Sequence, residues 1–203
     1  MDALNEQQNE NNMKSEKQYV IYLHGFRSNE QGSKVEHLKN FFPRCDVFGL
    51  AYEPHKPVEA AKAISDIVDK IGVNNIKGFV GTSLGGFWAR WAAVNLKLST
   101  IVINPSLRPW DTLKTGIYSK FDSNLNIEVT QADLDVYPQY SVDHESVNTR
   151  ALHVFALDDE LLDSRHSLEM IGGRCPSKVY ETAGHRFENF ERLENPIKDW
   201  FTV

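Results

Sequence analysis

The pentapeptide Gly81-Thr82-Ser83-Leu84-Gly85 stands between a strand-like apolar run, Ile76 to Val80, and a helix-like stretch that begins at Leu84. So short a passage from strand to helix needs a sharp turn, which leaves Ser83 at the apex with its hydroxyl exposed. Side chains two positions to either side would strike neighbouring backbone, so glycine suits positions 81 and 85, and Gly86 leaves room for close helix packing. This is the setting of an activated serine nucleophile, and it commits the middle of the chain to a strand with a helix laid back on it.

The remainder follows the same rhythm. Strand-length apolar runs at Tyr19 to Leu23, Asp46 to Leu50, Ile76 to Val80, Thr100 to Ile103, Leu152 to Leu157 and Lys178 to Glu181 alternate with helix-length amphipathic stretches. That alternation predicts right-handed βαβ crossovers and a mainly parallel sheet. The best-defined helix starts at Pro57, carries Val58, Ala61, Ile64, Val68 and Ile71 on one face, and stops at Gly72. Others are expected at Lys34 to Phe42, Leu84 to Leu96, Glu160 to Ile171 and in the C-terminal stretch, where Pro196 interrupts or restarts the helix. Residues 105 to 148 break the rhythm with Trp110, Tyr118, Phe121, Tyr137 and Tyr140 among many polar residues, and read as an insertion or small cap.

A chain of 203 residues buries a sizeable core as one domain, here residues 18 to 203, behind a polar tail at 1 to 17 that is expected to be disordered. Cys45 and Cys175 are far apart and have no metal-ligand spacing, which favours reduced thiols in a cytoplasmic setting and no structural metal. A net charge of -6 argues against a nucleic-acid surface, and no apolar run reaches the length of a membrane span. Nothing in the sequence sets an oligomeric state.

Asp159 follows the fifth predicted strand and His185 the sixth, so Ser83, Asp159 and His185 occur in the chain order of the α/β-hydrolase triad, each on a loop at the carboxyl edge of the sheet. In that arrangement His185 takes the proton of Ser83, Asp159 orients the imidazole, and an acyl-enzyme forms and is cleared by water. Asp158, Glu160 and Asp163 crowd the same loop; Asp159 best combines exposure with reach, and whether Asp158 can replace it stays open. Leu84 N–H, opening the helix, and Phe26 N–H, in the Leu23-His24-Gly25-Phe26 loop, are the expected oxyanion donors. His24, Gly25, Tyr52 and Trp110 are candidate pocket residues, and His153, between apolar neighbours, reads as a core or edge histidine. The glycines from Gly81 to Gly86 match phosphate-loop spacing, but Phe87 stands where lysine is required, and Gly78, Gly81 and Gly85 miss the dinucleotide fingerprint, so no cofactor is implied. The substrate expected from these residues is a small-molecule acyl ester, with an acyl thioester such as an acyl-CoA as the alternative; a non-catalytic ligand-binding protein on the same scaffold is the rival of another class.

Taken together, Tyr22-Leu23-His24-Gly25-Phe26, Gly81-Thr82-Ser83-Leu84-Gly85-Gly86, Asn104-Pro105 with Arg108-Pro109, Asp159-Glu160-Leu161-Leu162-Asp163, and Gly184-His185 followed by Phe187 resemble the small bacterial YqiA/YcfP-like esterases of the α/β-hydrolase superfamily, from Tyr19 to Phe201. The resemblance implies a compact α/β-hydrolase with a six-stranded, mainly parallel sheet of order 2-1-3-4-5-6, helices on both faces, esterase or thioesterase activity, and the triad Ser83, Asp159 and His185. The chain departs from the family at Thr82, where serine is common, at Asp158, where glycine often precedes the acid, and in its polar tail.

Overall fold

Long apolar runs with no polar alternation suit strands covered on both faces, and the computed structural model, which describes residues 17–121, 123–147 and 150–202, forms such a sheet. The first sixteen residues, most of the expected tail, lie outside the described part. Six parallel strands, β1 (Tyr19–Leu23), β2 (Asp46–Gly49), β3 (Ile76–Thr82), β4 (Thr100–Ile103), β7 (Ala151–Ala156) and β8 (Ser177–Tyr180), are ordered β2-β1-β3-β4-β7-β8. Counted by those six strands alone, the order is 2-1-3-4-5-6. The numbering shifts because an antiparallel hairpin, β5 (Gly116–Ser119) with β6 (Asn126–Val129), sits outside the main sheet within the insertion.

The period-2 geometry of a strand divides the buried residues between two cores. On one face Ile21, Leu23, Phe79, Val102 and Phe155 meet helices α2 (Pro57–Ile71) and α3 (Leu84–Asn95). On the other, Val20, Tyr22, Val80, Ile101, Ile103 and Val154 meet α1 (Ser33–Phe41), a 3-10 turn at Phe190–Leu193 and the C-terminal helix α8 (Glu194–Trp200). Pro196 falls in the first turn of α8, where its missing N–H has no intrahelical bond to lose.

Two expectations need correction. In α2 the buried residues are Pro57, Ala60, Ala61, Ile64 and Val68, while Val58 is 62% exposed. At about 100° per residue Val58 points roughly 120° away from Ile64, and Pro57 lies within about 20° of it. The helix expected from Glu160 instead begins at Ser164, as α7 (Ser164–Ile171), with Asp163 as its N-cap. Asp159 Oδ1 accepts the Leu161 and Leu162 amides, each at 2.8 Å, and this local turn competes with helix.

The insertion holds α4 (Pro109–Thr112), the β5–β6 hairpin, α5 (Gln131–Val136), a 3-10 turn at Tyr137–Tyr140 and α6 (His144–Val147). It joins the α2/α3 core through Val129, Leu134, Tyr137 and Val147. Tyr137 is fully buried, and its hydroxyl and the Trp88 indole both donate to the Pro54 carbonyl, at 2.6 and 2.9 Å. Beneath it, buried Arg90 of α3 lies 2.5 Å from His153 Nε2 and 2.9 Å from His144 Nδ1.

Burial, and then the Arg90 charge, pull His153 down to about 3 and His144 down to about 4; burial also lowers His24 and His55. His153 and His144 stay neutral in the fold and gain protons on unfolding, so their contribution to stability is full above the free-histidine value and declines below it, and the lowered His24 and His55 act with the same sign. Stability measured by urea unfolding is therefore expected to fall as pH drops from about 6.5 to about 5, where histidines dominate titration, by up to about 1.4 kcal/mol per pH unit for each histidine kept neutral. A flat profile across that range would contradict this account.

Candidate active site

Parallel strands deliver the loops that follow them to one sheet edge, and three such loops converge here. Ser83 follows β3, Asp159 follows β7 and His185 follows β8. Ser83 Oγ lies 3.0 Å from His185 Nε2, and His185 Nδ1 lies 2.8 Å from Asp159 Oδ2 and 3.0 Å from Oδ1. The Asp159 carboxylate is fully buried, contrary to the exposure expected of it, and the imidazole is 11% exposed. A carboxylate on Nδ1 fixes the proton there and leaves Nε2 as the acceptor facing the serine hydroxyl.

The turn at Ser83 is strained, with φ 56° and ψ −120°, a conformation costing about 1–3 kcal/mol for a non-glycine residue. Three backbone bonds hold it: Ser83 N–H donates to Ile103 O at 2.9 Å, and Ser83 O accepts from Gly86 N at 2.9 Å and Ser106 N at 3.1 Å. A Cβ at Gly85 would fall 2.0 Å from Leu23 O, so the helix start lies directly against the end of β1. Gly25 approaches from the loop that follows β1: a Cβ there would lie 3.0 Å from Ser83 Cβ.

Two of the three neighbouring acids hold the histidine loop, and the third caps a helix. Asp158 accepts the Ala183 and Gly184 amides, each at 2.8 Å, and these bonds hold its pKa below the usual carboxylate value. Glu160 Oε2 accepts the His185 amide at 2.9 Å. Asp163 caps α7 by accepting the His166 amide at 2.9 Å. Asp159 alone of the four meets the imidazole, and Asp158 is engaged elsewhere.

Asn104 is a supporting residue whose role the sequence reading did not identify. Its side chain donates to Gly184 O at 2.9 Å and His185 O at 3.1 Å, and accepts the Ala156 amide at 2.8 Å. Its φ of 42° is left-handed, which asparagine tolerates better than most residues. An Asn-Pro step just after a predicted strand was the available signal, because it marks a turn at the sheet edge.

A cavity of about 760 Å³ opens over Ser83 and His185, and Gly25, Phe26 and Leu84 line it. Leu84 opens α3, where the first amides have no intrahelical partner. His24, Tyr52 and Trp110, expected in the pocket, do not line it. His24 is buried, with Nδ1 donating to Gly25 O at 3.0 Å, and Tyr52 donates to His24 O at 2.8 Å. They brace the loop that carries Phe26 from behind. Trp110 packs against the core with the Arg108 guanidinium over its ring at 5.4 Å. The lining the sequence did not reveal includes Arg27, Lys34, Tyr118, Phe121 and Arg186.

Among the described residues no group of three or more His, Cys, Asp and Glu side chains could hold a metal ion, and no helix is long and apolar enough to cross a membrane. Replacing Asn104 with alanine leaves the buried Ala156 amide without its acceptor and puts alanine at a left-handed φ. The expected loss is about 2–4 kcal/mol in urea unfolding; a loss under about 0.5 kcal/mol would remove Asn104 from the framework of the histidine loop.

Among solved structures the chain is similar to Est1E from Butyrivibrio proteoclasticus, with a TM-score of 0.69 at 15% identity over 94% of this chain and 90% of that one. It is also similar to alpha/beta hydrolase domain-containing protein 10 from mouse, with a TM-score of 0.69 at 16% identity over 91% and 89%. At such identities the likeness shows the α/β-hydrolase fold. In sequence it is 27% identical to the UPF0227 protein YcfP of Salmonella gallinarum over 187 residues, covering 91% of this chain and 99% of the relative. YcfP of Salmonella arizonae is 26% identical, with 91% and 99% covered. The profile of UPF0227, described as an uncharacterised protein family, matches residues 19–202, and the chain therefore belongs to the UPF0227 family.

Proposed function

We propose that this protein is a serine esterase that hydrolyses carboxylic acyl esters through Ser83, His185 and Asp159. The observation that carries this reading is the unbroken contact from hydroxyl to imidazole to buried carboxylate at the floor of an open cavity, with 3.0 and 2.8 Å separations. Such spacing lets the imidazole remove the serine proton as the new bond forms.

Ser83 Oγ attacks the carbonyl carbon and its proton passes to His185 Nε2, while Asp159 stabilises the resulting imidazolium. The tetrahedral oxyanion is received by the Leu84 and Phe26 amides, and Gly25 allows the Phe26 loop to approach the serine closely enough. Collapse breaks the bond to the leaving oxygen, which takes the proton from His185. Water repeats the cycle on the acyl-enzyme, giving up its proton to His185, releasing the acid and restoring Ser83. The strain at Ser83 keeps the hydroxyl raised above the sheet edge throughout. The esterase domain of a Rhodothermus marinus protein has a similar fold, which adds support from analogy only. The same attack cleaves a thioester, and matched oxygen-ester and thioester substrates compared by kcat/KM decide which the site prefers.

Hydrolysis of a chromogenic short-chain ester is expected to drop by about 10⁶ in kcat in Ser83→Ala and by about 10⁴ in Asp159→Asn. A serine-directed fluorophosphonate should label the wild type at Ser83 and leave Ser83→Ala unmodified. Equal turnover in wild type and Ser83→Ala would end the proposal.

A further inference from the structure

The chain carries 28 acidic against 22 basic residues, yet the cavity over Ser83 is lined by Arg27, Lys34, Lys114 and Arg186 against a single carboxylate, Glu188. The sign of charge is reversed where substrate must enter. Among the described residues none of these four cations forms an ion pair with a carboxylate, although seven lysine– or arginine–carboxylate pairs occur elsewhere.

Three of the cations are held in place by neighbours that leave their charge uncompensated. Arg27 takes a left-handed backbone conformation, φ 63°. Its Nε donates to Ser119 O at 2.7 Å, and its carbonyl accepts the Phe121 amide at 2.7 Å. Two guanidiniums approach the Phe121 ring, with Arg27 Cζ 4.4 Å and Arg186 Cζ 5.0 Å from its centroid. Lys34 Nζ sits 5.9 Å from the Phe190 ring. Aromatic faces orient these cations without neutralising them and leave most of their N–H groups free. Burial, and then the nearby Arg186 charge, lower the proton affinity of Lys34, so a cation in the first turn of α1 and one on the loop after β8 are held close enough to repel. A guanidinium fork with a neighbouring ammonium matches the oxygens of a phosphate or carboxylate, and an anion entering among them relieves that repulsion.

We infer that Arg27, Lys34 and Arg186 form an anion-recognition subsite beside Ser83, and that the substrate is an acyl ester or thioester bearing a phosphate or carboxylate group. This rests on the hydrolase reading of Ser83 and specifies its substrate. The subsite draws Arg27 from the loop after β1, Lys34 from the first turn of α1 and Arg186 from the loop after β8, in the same cavity as Ser83. Binding energy gathered there orients the carbonyl at Ser83.

Two matched pairs of probes test it. Mono-4-nitrophenyl adipate against 4-nitrophenyl hexanoate places a carboxylate on the acyl side. Butyryl-coenzyme A against butyryl-N-acetylcysteamine places phosphates on the leaving group. In at least one pair, the charged-to-neutral ratio of kcat/KM should exceed unity in the wild type at low salt and fall as sodium chloride is raised. It should drop by about tenfold in Lys34→Ala and in Arg186→Ala and recover in Lys34→Arg. Lys62→Ala, an exposed lysine outside the cavity, should keep the wild-type ratio. The pair that responds identifies which side of the scissile bond carries the anion. Ratios that are the same in wild type, Lys34→Ala and Arg186→Ala for both pairs, with the neutral esters turned over, would overturn the subsite and leave the hydrolase reading standing. Absence of turnover of every probe would overturn the hydrolase reading and the subsite with it.

Discussion

The parallel hydrogen-bond ladder continues one step beyond the strands, and the candidate site hangs from that extension. Leu50 N–H donates to Tyr22 O, Ser83 N–H to Ile103 O, Asn104 N–H to Val154 O and Leu157 N–H to Tyr180 O, all at 2.8–2.9 Å. Each loop therefore leaves the sheet already fastened to the neighbouring strand. Residues that are 76 and 26 positions apart along the chain, Ser83 to Asp159 to His185, begin from a common edge whose spacing is set by strand pairing. The strain at Ser83 persists because this edge and the Ser106 and Gly86 amides over-determine it.

Three successive acids show how such a loop assigns separate tasks to chemically equivalent groups. Asp158 gathers the Ala183 and Gly184 amides, Asp159 turns inward to the imidazole, and Glu160 reaches the His185 amide. Asn104 secures the same loop from the other side through the Gly184 and His185 carbonyls. The histidine ring is thus positioned by its backbone as well as by its buried partner. An isolated Asp–His contact would leave χ1 and χ2 of the imidazole to thermal motion; here the loop beneath is bonded on both edges.

The sheet and the serine turn were legible because their signals are local. Val20 to Leu23, Phe79 to Val80 and Ile101 to Ile103 are buried on both faces and read as continuous apolar runs, and Gly81 and Gly85 are required by backbone approaches of 2.2 and 2.0 Å to a Cβ that is not there. Val58 misled because apolar character says nothing about angular position at the first turn of a helix. His24 and Tyr52 were sought in the pocket, but burial turned them toward the back of the loop they support. The hairpin escaped notice since Gly116–Ser119 is mostly exposed, with Ile117 72% exposed, and shows no core-facing alternation. The cationic wall was invisible for a different reason: Arg27, Lys34, Lys114 and Arg186 are spread along the chain, and the net charge of -6 conceals a local reversal of sign.

That wall connects the insertion to the chemistry. Tyr137 and Trp88 donate to one carbonyl, Pro54, which pins the far end of the insertion onto α3 and the segment before α2. The near end is bonded to the loop after β1 through Phe121 N–H to Arg27 O and Arg27 Nε to Ser119 O, while Phe26 packs edge-on against Tyr118 at 5.1 Å. Phe26 also supplies the proposed second oxyanion donor. The residues that would recognise substrate and the amide that would stabilise its transition state therefore belong to one packed unit. A shift of the hairpin would move Arg27 and Phe26 together, so recognition at the cavity wall and alignment at Ser83 are mechanically coupled by contacts that need no hinge.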